Sequence, residues 1–333
     1  MVPKRYNIKN WTRQNLRDWF KNYENSSSSI KSFRADQVFK WLYQKKAENF
    51  DQMLNIGKGT RKLLKDHFFI SSLKAKEKLK SSDGSIKYRI LLDDGNSIES
   101  VFLPHKNHNT ICVSSQAGCA MGCDFCMTAK MGLIRNLEPS EIINQIFSVL
   151  KELTEENKIR NIVFMGMGEP FHNYKNLMKA LEILTDEYGF NFSQRHITVS
   201  TSGLLPKIKS FGLEKIKANL AISLNGVTNE VRSKLMPVNK AYNLEKLIKA
   251  CREFPLESRK RITFEYILIH NLTDSLQDAN SLIRLLHGLK FKINLIPYNN
   301  TPGSKYNAPS PEKARMFQKY LLDHKIIAPL RIS

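Results

Sequence analysis

The stretch Cys119-Ala120-Met121-Gly122-Cys123-Asp124-Phe125-Cys126 sets three thiols close together, spaced C-x3-C-x2-C. Thiolates are soft ligands that suit iron–sulfur clusters, zinc or copper(I). A [4Fe–4S] cluster normally takes four Cys, one per iron, so a loop with three leaves one iron open to a further ligand. The competing reading is a zinc knuckle completed by a nearby His. Zinc sites usually pair their ligands, and the chain holds no second C-x2-C and no H-x3-H. The pattern therefore favours a cluster with a vacant coordination position.

The rest of the chain is read outward from that loop. Its 333 residues, 41% of them hydrophobic, can bury one large domain and a small one. Five Cys, three of them in one loop, point to a reducing compartment rather than a disulfide framework. The start Met1-Val2-Pro3-Lys4-Arg5-Tyr6-Asn7 has no apolar core of a signal peptide, and no apolar run has membrane length. The expectation is a cytoplasmic protein with no membrane partner. Lys+Arg 52 against Asp+Glu 31 gives a net charge of +21, which points to a polyanion, most plausibly nucleic acid. A solvated, lysine-rich surface is the alternative, and charge alone does not separate RNA from DNA.

Residues 1–72 read as a helical accessory module. Apolar Trp11, Leu16, Trp19 and Phe20, then Phe33, Val38, Phe39, Trp41 and Leu42, recur at helical spacing, with Asn25 to Ser29 as a flexible break. The module is either an RNA-docking domain or a cap on the main domain. Residues 73–106 read as a β-hairpin extension, because Ser82-Asp83-Gly84 and Asp93-Asp94-Gly95 are turn signals around Ile86–Leu92 and Ser97–Leu103. Alternation puts Glu99 on the face of Val101 and Leu103. A Glu on an apolar face invites a general-base role, with a solvated strand as the plainer reading.

From 107 to 333 strands and helices alternate. Strands are expected at Ile111–Ser114, Ile162–Met165, Ile197–Ser200, Leu220–Leu224, Ile262–Leu268 and Ile293–Pro297. Helices fall between them, the clearest from Pro139 to Leu153 with Ile142, Ile146, Val149, Leu150 and Leu153 as its stripe. Six β–α units predict an α/β fold, a parallel sheet bent into a partial barrel with reactive groups at the C-terminal strand ends. Those ends carry Cys112, the run Met165-Gly166-Met167-Gly168-Glu169-Pro170, Ser200-Thr201-Ser202-Gly203, Ser223-Leu224-Asn225 and Pro297-Tyr298-Asn299. Glycines permit close backbone approach, a carboxylate can hold an ammonium, and hydroxyls can hydrogen-bond a ribose or a carboxylate. Taken singly, each is ordinary turn chemistry. Lys130, Arg135, Arg195, His196, Arg232, Lys234, Arg259, Lys260 and Arg261 are candidates for an RNA face, and Cys251 reads as structural.

The cluster spacing is the signature of the radical S-adenosylmethionine (SAM) superfamily. The run Cys112-Val113-Ser114-Ser115-Gln116-Ala117-Gly118-Cys119, continued by Cys126-Met127-Thr128-Ala129, resembles the RlmN/Cfr family, which methylates adenine carbons in RNA. The resemblance is closest to the RlmN branch and runs the length of the chain. It implies a partial (β/α)6 radical SAM barrel over 107–333, and a [4Fe–4S] cluster held by Cys119, Cys123 and Cys126. It implies SAM contacts from Gly168, Glu169, Ser200, Ser223, Leu224, Asn225 and Asn299, with Asn225 standing where the family usually has His. It makes Glu99 the acceptor of the adenine C2 proton, and Cys112 a thiol that attacks the methyl-bearing sulfur and ends in a disulfide. The implied substrate is 23S rRNA, with tRNA as a second, served by a flavodoxin-like reductant and a monomeric enzyme. Family members continue past Ser333 into a run ending Ala-Cys-Gly-Gln, whose Cys carries the methyl group. The expectation is that the chain as written binds cluster and SAM without turning over as a methyltransferase. Two other readings are a different radical SAM enzyme, such as a C8-specific relative, and a non-catalytic cluster-containing RNA-binding protein.

Overall fold

The computed structural model describes residues 5–23, 28–105, 108–153, 158–300 and 303–331. The expected break at Asn25 to Ser29 falls mostly outside them, and Ser28 already begins a helix, Ser28–Tyr43. The chain divides into two compact units, one comprising Met1–Ser115, Asn136–Gly166 and Asn173–Ile197, the other Gln116–Arg135, Met167–His172 and Thr198–Ser333.

The first unit contains the helical module and the hairpin. Helices Arg13–Tyr23, Ser28–Tyr43 and Lys58–His67 bury Leu16, Phe20, Val38, Phe39, Leu42 and Leu64, the apolar positions that helical spacing brings to one side. Strands β1 (Ala75–Lys80), β2 (Ile86–Leu91), β3 (Ser97–Leu103) and β4 (Asn109–Cys112) pair antiparallel in succession, and β5 (Ile159–Phe164) runs parallel to β4. The turns sit where Asp-Gly demands them: Gly84 (φ 83°) and Gly95 (φ 86°) occupy the left-handed region that hairpin turns require. The helix expected from Pro139 ends at Leu150, so Leu153 lies off its stripe, while Ile142, Ile146 and Val149 are buried as expected. Its start is fixed by Pro139 in the first turn and a reciprocal cap between Glu138 and Glu141.

In the second unit β6 (Ile197–Thr201), β7 (Asn219–Ser223), β8 (Ile262–Leu268) and β9 (Phe291–Pro297) pair in chain order, all parallel. Parallel neighbours need a crossover, and helices supply it: Leu205–Leu213 after β6, Asn229–Leu235 and Leu244–Glu253 after β7, Leu276–Leu286 after β8. Helix Pro311–Asp323 follows β9. Every residue of β8 is buried, which explains its continuous apolar run. The ends of β6 and β7 and the turns after β5, β7 and β9 hold the residues expected to bind a ligand.

Candidate functional site

The cluster loop, Gly168, Glu169 and the strand-end residues from Ser200 to Asn299 belong to the second unit. Gly118 has φ 74°, and a Cβ there would lie 1.9 Å from the carbonyl oxygen of Gly132. That contact forbids any side chain and lets the Cys119 N–H donate to the same oxygen at 2.8 Å. In the middle of the loop the Asp124 N–H donates to the Leu235 carbonyl. The Asp124 carboxylate accepts from the Tyr306 hydroxyl at 2.5 Å and pairs with Lys305 at 2.6 Å, which together hold it below the usual carboxylate range. Cys123 and Phe125 pack against a cluster of Leu235, Met236, Ile267, Ile269, Tyr298 and Tyr306.

Burial pushes the Cys119 thiol up, and pushes Cys123 up to about 12, with the neighbouring thiols and Glu169 adding to the effect. The neighbouring thiols oppose ionisation of Cys123, and a bound positive charge, as iron would provide, offsets that.

Glu169 is 3% exposed. One carboxylate oxygen accepts from the Phe171 N–H at 3.0 Å and the other from the Ser202 N–H at 2.7 Å. Burial outweighs these bonds and leaves its pKa raised. No Lys or Arg pairs with it among the described residues, so a ligand ammonium would complete it. The glycines here serve the chain as well as any ligand. Gly168 has φ 97°, and a Cβ on it would lie 2.5 Å from Cβ of Gln116. Gln116, which sequence reasoning missed, accepts from the Glu169 N–H at 2.8 Å and so fixes the loop.

The remaining strand-end residues divide. Ser200 and Ser223 both donate to Glu265 of β8, at 2.7 and 3.3 Å. The Asn225 carbonyl oxygen accepts from the Ile267 N–H at 3.0 Å and its amide donates to Met236 sulfur, so Asn225 ties the β7 turn to β8 and keeps one amide hydrogen to spare. Its φ of 54° suits Asn. Leu224 is fully buried, and Asn299 is exposed at the end of β9.

Arg232 corrects the expected RNA face. It is fully buried and donates to the carbonyls of Leu224, Ser202 and Ser223 and to Asn239. Burial lowers its pKa to about 10. Its guanidinium staples together the turns after β6 and β7 instead of meeting phosphate. The helix Asn229–Leu235 offers a late hint, since Arg232 lies one turn before buried Leu235. Cys251 is buried, and its thiol is pushed up to about 12 by burial, in keeping with a structural role.

Glu99 and Cys112 belong to the first unit. Register pairs Val101 with Cys112, so Glu99 is the diagonal neighbour of Cys112 on one sheet face, about 7–8 Å away at Cα. Cys112 is 8% exposed. Glu99 shares the face of Val101 and Leu103 as expected, but that face is half open: the Glu99 side chain is 45% exposed and pairs with Lys87 at 3.1 Å. The buried face of β3 is that of Ile98, Ser100 and Phe102.

The radical SAM superfamily profile matches residues 113–283, and that of the ribosomal RNA large subunit methyltransferase N-terminal domain matches residues 6–70. The chain is 47% identical over 315 residues to a dual-specificity RNA methyltransferase RlmN of a Nitratiruptor species, covering 90% of this chain and 89% of that one. It is 46% identical to the RlmN of Desulfosudis oleivorans over 327 residues, covering 98% and 86%. A crystal structure of a radical SAM methyltransferase from Sphaerobacter thermophilus superposes with TM-score 0.88 at 38% identity, covering 98% of this chain and 94% of that one. The α/β radical SAM fold expected from the sequence is thereby established.

Proposed function

This chain belongs to the RlmN family of radical SAM enzymes, and on that premise we propose that it methylates C2 of an adenine in 23S rRNA and in tRNA. Its cofactors are a [4Fe–4S] cluster and SAM. When bound, the cluster supplies the electron that cleaves SAM reductively, drawn from a flavodoxin-like donor.

The chain's own residues do the rest. Cys119, Cys123 and Cys126 would hold the cluster, in a loop whose Cys119 N–H is bound to the Gly132 carbonyl and whose Cys126 N–H is bound to the Cys123 carbonyl. Glu169, its carboxylate aimed by the Phe171 and Ser202 N–H groups, would neutralise the SAM ammonium. Ser200, Ser223, Asn225 and Asn299 would contact its nucleoside portion. Glu99, open to solvent and free to pass a proton on, accepts the hydrogen from adenine C2. Cys112 on the same sheet face would attack, as a thiolate, the sulfur of the family's methyl-carrying Cys: the S–S bond forms as that sulfur's bond to the carbon on the base breaks, and the carbon keeps the electron pair and takes up a proton. The helical module and surface cations bind the phosphate backbone, so affinity falls with added salt.

The observation that carries this reading is a three-thiol loop in one compact unit with a buried, cation-free carboxylate at residue 169. The test is anaerobic reconstitution followed by nucleoside mass analysis of 23S rRNA and tRNA, with and without the relatives' C-terminal segment appended. The expected result is iron uptake and reductive release of 5′-deoxyadenosine with either form, and adenine modified at C2 when the segment is present. A C8-methylated product would transfer the reading to a C8-specific enzyme, and iron-loaded protein inert toward SAM would leave only an RNA-binding role.

A further inference from the structure

Glu265 is 9% exposed at the middle of β8, and neither the cluster nor the proton-transfer chemistry uses it. It lies in register with Ser223 on one neighbouring strand and with Asn294 on the other. The hydroxyls of Ser200 and Ser223 both donate to one of its carboxylate oxygens, at 2.7 and 3.3 Å. The Asn294 side chain also hydrogen-bonds it, and Asn294 in turn accepts from Arg331 at 3.0 Å. Arg331 is held to β9 by its backbone N–H on the Leu295 carbonyl at 2.8 Å.

A serine hydroxyl has one hydrogen and two lone pairs. Once that hydrogen is committed to a buried carboxylate, the serine presents only lone pairs to anything else. Such a serine can accept a hydrogen bond from a ribose hydroxyl. It cannot donate one to the methionine carboxylate of SAM, which removes half of the range a free hydroxyl offers.

We propose that Glu265 is a positioning residue that fixes Ser200 and Ser223 as hydrogen-bond acceptors, so that these two serines recognise the ribose hydroxyls of SAM. The proposal rests on the reading that both serines contact SAM. Asn294 and Arg331 brace the carboxylate from its far side, which ties the last described strand contact of the chain to the cofactor pocket. Replacement by glutamine keeps the shape and leaves one acceptor oxygen for three donors; because Arg331 occupies the Asn294 oxygen and leaves the Asn294 amide group facing residue 265, the glutamine oxygen turns to Asn294, its amide nitrogen faces the serines, and their hydrogens must turn outward.

The test is equilibrium binding to the anaerobically reconstituted full chain, with SAM and with its 2′,3′-dideoxyribose analogue as probes. Cluster absorbance and far-ultraviolet circular dichroism serve as controls for folding. Glu265→Gln is expected to weaken SAM binding about tenfold, roughly 1.4 kcal/mol, and to leave binding of the dideoxy analogue within twofold. In a Ser200→Ala, Ser223→Ala background the same change is expected to cost less than twofold further, because the groups it orients are gone. Equal loss for SAM and analogue would show that Glu265 merely builds the pocket, and no loss for either would show no role; both overturn the proposal. Should Glu265→Gln fail the folding controls, the single alanine variants decide, since each must lose affinity for SAM and not for the analogue. If the double-alanine chain binds SAM as tightly as the unaltered one, the serines are not SAM contacts, and it is the parent reading of the pocket that falls.

Discussion

The hairpin strand β3 and the interior strand β8 treat a carboxylate in opposite ways. Glu99 on β3 is 45% exposed and faces Lys87 across the sheet. Glu265 on β8 is 9% exposed and receives two serine hydroxyls. An exposed carboxylate can trade protons with water and with a substrate. A buried, fully engaged one is a fixed acceptor that orders its neighbours. In the proposed mechanism the same residue type serves as a reagent in one region and as scaffolding in the other, and burial makes the difference.

The largest effect that could break the comparison is on Glu99. Glu99→Gln should lower methyl transfer roughly 10²–10⁴-fold, the usual contribution of a positioned base. It should change the unfolding free energy by no more than about 0.5 kcal/mol, as at an ordinary surface site. Methylated adenosine per 5′-deoxyadenosine released, set beside urea denaturation, reads both. A large stability loss would mean that β3 is scaffold after all. On the interior side, Arg232→Met should cost about 3–5 kcal/mol, because it strips a buried cation from the carbonyls of Leu224, Ser202 and Ser223. Denaturant melts that fail to move by about 1 kcal/mol would refute the staple.

A pair of lysines extends the contrast to cations. Lys9 is 5% exposed, donates to Asn144 and the Ser71 carbonyl, and burial lowers its pKa from 10.5 to about 7. Between those values the unfolded chain keeps a proton that the folded chain has released. Stability relative to Lys9→Met should therefore rise as pH climbs from about 7 toward 10, by at most about 1.4 kcal/mol per pH unit. A flat difference over that span would mean the buried amine is not neutral. Lys87 is the exposed counterpart: Lys87→Met should cost less than about 1 kcal/mol in urea melts, and a greater loss would promote its pair with Glu99 from surface to framework.

How much of this the sequence revealed depended on whether a signal was local. The three-Cys loop, the Asp-Gly turns and the apolar run Ile262–Leu268 are short-range patterns, and each lies where it was expected. Glu265 left a trace, a lone charge within that apolar run, but periodicity does not say what a buried carboxylate faces. Arg232 left almost none, because its four partners come from separate turns that only the fold assembles. Glu99 was placed on the right face, yet how open that face is depends on what covers it, which alternation along one strand does not encode. Gln116 escaped because a neutral amide in a catalytic stretch carries no pattern of its own.

The closure of the cysteine loop by Gly118 and the Gly132 carbonyl makes the first thiol's place a matter of main chain. Any ordinary amino acid at 118 would have to push the Gly132 peptide aside, and Cys119, tethered to that same oxygen, would travel with it. A single methyl group at a residue with no chemistry of its own is thus enough to move the sulfur beside it.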